Sequence, residues 1–165
     1  MIPAAHPDAV HALGAQLQQE QDSSVREALF TSLGSIATQD SVGALLPLLR
    51  REDAQLRNRA IETLASMPRA VAPRIAALLG DTDVDVRIFT VNLLGELRHE
   101  QVTQWLLSVL ASEREVNVVA AAIDVLAEVG EPEHVAALRN ARQRFAQDPF
   151  IGFAADVAIA RIESS

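Results

Sequence analysis

Two residue pairs could hold a metal ion: His99-Glu100 and, in reverse order, Glu133-His134. An imidazole beside a carboxylate is a fragment of a divalent-metal site, and a closed site needs three or four ligands converging on one point. Both pairs sit at turns between apolar segments and supply too few ligands, so neither a metal nor any other cofactor is expected. Cysteine, tyrosine and lysine are absent, and all 14 basic residues are arginine. Schiff-base lysine chemistry, a thiol nucleophile and a thiolate metal ligand are therefore excluded. The sequence also contains no Gly-rich phosphate loop and no nucleophile elbow. No catalytic residue is assigned.

Other side chains suit binding. Arg50, Arg51, Arg57, Arg59, Arg69 and Arg74 form a basic island in a chain whose net charge is −8. Such an island is either a solvated face or a set of forked guanidinium groups that recognise an acidic partner segment. Trp105 is the only tryptophan, a residue type enriched at binding hot spots. It also falls three residues after Val102, as Leu45 follows Val42 and Leu138 follows Val135, and that slot predicts a partly buried core role. Arg74 takes the same slot after Val71 and cannot be core. The candidate partner-binding residues are Arg50, Arg51, Arg74, Gln101, Gln104, Trp105, Arg139 and Arg142. The acidic balance repels a phosphate backbone, so nucleic acid is not expected as a partner. Acidic residues from Glu113 to Glu133 give the chain two unlike ends.

These side chains must be positioned by helices. One phrase, an acidic residue followed three places later by an aliphatic one and then usually Arg, begins at Asp22, Asp53, Asp83, Glu115 and Asp148. The spacings are 31, 30, 32 and 33 residues, the period of an array in which each unit buries its apolar face only against its neighbours. Each acid stands where a helix N-cap belongs. In the first copy Val25, Ala28, Leu29, Leu33 and Ile36 form the expected apolar stripe. Every copy but the last is followed by a second apolar segment, giving contact helices near 41–51, 69–79, 100–111 and 133–145. Pro132 and Pro149 fit a first helical turn, whereas Pro47 lies deeper and should bend its helix or shift its start. Aromatics are 4% of a chain that is 49% hydrophobic, so the core is aliphatic.

Residues 8–20 match a second helix with Val10, Leu13 and Leu17 as its stripe. The segment 148–162 matches a first helix, and with Phe150, Ile151, Phe153, Val157, Ile159 and Ile162 it is too apolar for one buried face. Either it packs on something, with self-association expected, or the array was cut from a longer one. The opening MIPAAHPDAV has no basic region before an apolar run, and no stretch approaches a membrane span. A soluble cytoplasmic protein without membrane contact is expected.

The phrase D-x-x-V-R-x-x-A-x-x-x-L-G resembles the HEAT-like repeats grouped with phycobilisome lyases. Asp22, Val25, Arg26, Leu33 and Gly34 carry it in the first copy, and Asp83, Val86, Arg87, Leu94 and Gly95 in the third. In the second copy it is carried by Asp53, Leu56, Arg57 and Leu64, with Ala70, Val71 and Pro73 in the helix that follows. The likeness runs from residue 8 to 162. It implies an all-α, right-handed α-solenoid (superhelix) of stacked antiparallel helix pairs, one domain over 1–165. That domain comprises a partial repeat at 8–21, full repeats at 22–52, 53–82, 83–114 and 115–147, and a final helix at 148–162.

In such repeats the Asp and Arg pair within and between units. Asp22/Arg26, Asp53/Arg57 and Asp83/Arg87 are each four apart, close enough to meet on one helix. Val119 and Gly152 replace the Arg later, so the ladder should stop and apolar packing should hold repeats four and five. The function this resemblance implies first is a non-catalytic protein–protein interaction scaffold or adaptor using the concave face of the solenoid. The alternative is a bilin (tetrapyrrole) lyase or chaperone, with Arg50, Arg51, Arg69 and Arg74 as partners for propionates. Two further relatives fit less well. HEAT-repeat deoxyhypusine hydroxylases need several His-Glu pairs in symmetric positions, and HEAT-like DNA glycosylases need a basic, aromatic-bearing face.

Overall fold

The computed structural model describes residues 6–165; the expectation drawn from the opening MIPAA lies outside them. Ten α-helices and two 3-10 turns are present, and no strand occurs among the described residues. None of these helices is long and apolar enough to cross a membrane. The chain divides into two compact units, residues 1–75 and 76–165.

Unit 1 contains α1 (Pro7–Gln19), α2 (Ser23–Ile36), α3 (Gln39–Leu45), α4 (Ala54–Ala65) and the start of α5 (Pro68–Leu79). First helix packs on first helix, α2 against α4, and α1 packs against α3. Unit 2 contains α6 (Val84–Glu96), α7 (Val102–Ser112), α8 (Val116–Val129), α9 (Val135–Arg144) and α10 (Pro149–Glu163). Here α8 lies between α6 and α10, and α7 packs on α9. Within each unit, then, a helix buries its apolar side against the next copy of itself, as the repeat period requires.

The Asp that opens four of the five phrases caps its helix. Asp22 accepts from the N–H groups of Ser24 and Val25 at 2.8 and 3.0 Å. Asp53 accepts from Leu56 at 3.1 Å, Asp83 from Asp85 at 2.9 Å, and Asp148 from Phe150 and Ile151. Glu115 makes no such bond, since its longer side chain does not fold back onto the first turn as Asp does. Pro132 and Pro149 occupy first-turn positions. Pro47 changes the helix type: α3 stops at Leu45 and the chain continues as a 3-10 turn, Leu46–Arg50.

The glycine of the phrase is a close-approach residue. A Cβ on Gly34 would lie 3.2 Å from Thr63 Cγ2, and one on Gly95 would lie 3.3 Å from Val125 Cγ2. Each contact joins a first helix to the next first helix, so the missing side chain sets their separation.

Two sequence expectations need correction. The stripe of α2 is Leu29, Phe30 and Leu33, while Val25 is 42% exposed and Ala28 is exposed. The matching Leu56, Val86, Val118 and Ile151 are all buried, and Val25 differs because no first helix precedes α2 among the described residues. The second correction concerns Arg26, which does not turn to Asp22. Its Nε donates to the Glu20 carbonyl at 2.7 Å, and its Nη1 reaches Asp53, the cap of the next first helix, at 3.3 Å. Capping commits the Asp22 carboxylate to the backbone, so the arginine serves the neighbouring repeat.

The backbone half of this device recurs. Arg57 donates to the Arg51 carbonyl and Arg87 to the Asp81 carbonyl, both at 2.8 Å. In every case the acceptor lies two residues before the capping acid. Arg87 also bonds the Glu113 carboxylate at 2.9 Å.

Candidate functional site

The two histidines that suggested a metal are holding helix ends. His99 Nδ1 accepts the Gln101 N–H at 3.1 Å, and His134 Nδ1 accepts the Glu131 N–H at 2.8 Å. His134 is buried, with Nε2 3.4 Å from the Glu133 carboxylate. Among the described residues no three His, Asp or Glu side chains are grouped to hold a metal ion.

In unit 1, Arg51 and Arg74 are exposed, as are Arg50 and Arg69. Arg59 is engaged elsewhere: it bonds Glu27 on α2 at 2.8 Å and lies 5.7 Å from the Phe30 ring centroid. Arg74 lines an open groove of about 330 Å³ with residues of α1 and α3. Gly14, Ala15, Gly43 and Ala44 keep the groove wall low, and Asp40 also lines it. Gly14 sits so close to α3 that a Cβ there would meet Ala44 Cβ at 2.8 Å.

In unit 2, Gln101 and Gln104 are exposed and Trp105 is half-buried. The indole stacks on His99, centroids 5.2 Å apart and planes 25° from parallel. The slot three residues after the leading valine therefore has no single environment. Leu45 and Leu138 are fully buried there, but in α5 and α7 the buried residue comes one place later, at Ile75 and Leu106. The two helices that bury the earlier position are those that join a 3-10 turn. The later register in α5 and α7 leaves Arg74 exposed and Trp105 half-buried.

Arg139 and Arg142 face α10. Arg139 pairs with Glu163 at 3.3 Å and Arg142 with Asp156 at 3.1 Å. Both line an open groove of about 900 Å³ between α9 and α10, together with Phe145, Gly152, Phe153 and Ile159. Sequence reading missed this groove. Away from its buried face α10 exposes Phe150 by 58%, Phe153 by 69% and Val157 by 50%, while Ile151, Ala155, Ala158 and Ile162 are buried. Counting from the capping acid, the same three positions are Ser24, Glu27 and Thr31 in α2 and Gln55, Asn58 and Glu62 in α4. Only Ile88 in α6 and Ala120 in α8 break the polar rule at these positions in the earlier first helices. Aligning first helices by solvent-facing position is the signal that marks α10 as different.

A comparison with curated proteins gives no match. The family model for HEAT repeats matches residues 10–74 and 71–149. With that coverage, and with like helices stacked on like in each unit, the chain belongs to the HEAT-repeat family.

Proposed function

We propose that this protein is a non-catalytic, cytoplasmic interaction scaffold that holds an acidic segment of a partner protein. The observation that carries this reading is Arg74: an exposed guanidinium in a core-like register slot, at a groove lined by small residues. A forked cation beside a shallow groove suits a carboxylate-bearing extended segment, because the fork takes two oxygens while the low groove lets a backbone approach. Arg50 and Arg51 extend the basic character of unit 1. In unit 2 the exposed Gln101 and Gln104 beside Trp105 offer a second contact face, whereas Arg139 and Arg142 are already paired with Glu163 and Asp156. The helices that carry these groups are ordered before binding, which keeps the entropy of association low.

The test is affinity capture from the native host with wild type and Arg74→Glu side by side. A protein retained by wild type and lost by the variant, at equal melting temperature, is the expected result. Equal capture by both proteins contradicts the reading, and a large drop in melting temperature shows Arg74 to be a structural residue.

A further inference from the structure

The geometry points to a second copy of this chain as the occupant of the α9–α10 groove, the two α10 helices lying antiparallel about a two-fold axis. Each Phe153 would seat in the groove of the other copy. The proposal concerns a surface other than the Arg74 groove and stands without the scaffold reading.

Three features carry it. The first is self-complementarity. Phe153 is both a lining residue of the groove and, at 69% exposure, a projecting apolar side chain. Projection and recess lie side by side on one patch, the arrangement that a two-fold contact uses twice. Gly152 leaves open space beside Phe153, with nothing within 4 Å of where its Cβ would be. The second is spacing. Phe150, Phe153, Val157 and Ala160 follow one another at three, four and three residues, the seam along which two helices pack.

The third is charge. At a net charge of −8 two copies repel, so a contact between them needs a locally balanced surface. The rim here is balanced by Arg139–Glu163 and Arg142–Asp156. An acidic partner would gain nothing from such a neutralised rim, whereas a like copy meets no net field.

Light scattering over a concentration series tests the proposal. Wild type is expected to move from 17.8 kDa toward twice that mass as concentration rises. Phe153→Asp should weaken the dimer at least tenfold while leaving helix content and melting temperature unchanged, because the side chain is exposed. The chain has no cysteine, so Phe153→Cys adds a single thiol that should oxidise to a covalent dimer across the two-fold axis. Three results overturn the proposal. One is a wild type that stays at 17.8 kDa at the highest concentration reached. Another is a dimer that Phe153→Asp leaves intact. The last is a monomer whose α10 face captures a different protein in a Phe153-dependent way.

Discussion

In unit 1 the Arg59–Glu27 pair that joins first helices α2 and α4 is exposed, and in unit 2 the Arg87–Glu113 pair that joins α6 to the α7–α8 junction is sheltered. Arg59 and Glu27 are 31% and 57% exposed, whereas Arg87 and Glu113 are 14% and 11% exposed. The junctions also differ in who serves the backbone. In unit 1 the carbonyl two residues before the cap receives the arginine six places on, Arg26 to Glu20 and Arg57 to Arg51. Arg87 does the same for Asp81 in unit 2, but at the next phrase that arginine is Val119, which is fully buried. The equivalent carbonyl, Glu113, receives Arg144 instead, at 2.9 Å from the end of α9, and the same nitrogen bonds the Leu110 carbonyl at 2.6 Å. At this junction a guanidinium from α9 takes the place of the local one. Where the local arginine is lost, its slot turns to packing: α8 buries Val118, Val119, Ala122, Ile123 and Leu126.

If α8 is held by packing, cutting its core should have the largest effect. Ile123→Ala is expected to cost about 2–4 kcal/mol, read from denaturant midpoints at constant slope. Next comes the sheltered tie. Glu113→Ala removes the carboxylate from Arg87 and from the N–H groups of Arg114 and Glu115, and should cost about 2–3 kcal/mol. A loss no larger than that of an ordinary surface change would show the pair to be ornamental.

Titration sharpens the same point. Burial pushes the Glu113 carboxyl up, and bonds from the Glu115 N–H, Arg87 and the Arg114 N–H together bring it below its ordinary 4.5. A carboxyl that ionises more easily folded than unfolded adds stability above the unfolded value. That stability is lost as pH falls through the folded one. The gap between wild type and Glu113→Gln should therefore be steady near neutral pH and shrink below 4.5. The smallest effect belongs to unit 1. Its exposed Glu27 is also held below the ordinary range, first by the Arg59 hydrogen bond, against a smaller opposing effect of burial, yet solvent and salt screen the pair. Glu27→Ala should unfold with wild type within error, and a clear loss would erase the contrast between the units.

Much of this was legible in residue types. Asp at the head of four of the five phrases announces a cap, and Pro47 announces a break in helical winding. The apolar surplus of α10 is visible in Phe150, Phe153 and Val157 as letters. What the letters hide is geometry that no side-chain type marks. The target of Arg26 is partly a backbone carbonyl, which every residue owns, so a spacing of four to Asp22 looked like the partner. Arg144 stands 25 residues after Val119, and nothing in sequence ties one to the other's missing role. Counting aligns Arg74 and Trp105 with Leu45 and Leu138, but α5 and α7 bury the residue one place later, Ile75 and Leu106, and a count cannot see which of two adjacent positions turns inward. The α9–α10 groove is a space between two helices, and composition does not encode it.

The account rests on successive helix pairs being locked at their junction carbonyls, since only a locked stack presents a pre-ordered surface. Arg144→Ala set against the exposed control Arg114→Ala, in equilibrium chemical unfolding, tests this most directly. The expected result is a loss of about 1.5–3 kcal/mol for Arg144→Ala and none resolved for the control. Equal stabilities of the two variants would contradict it.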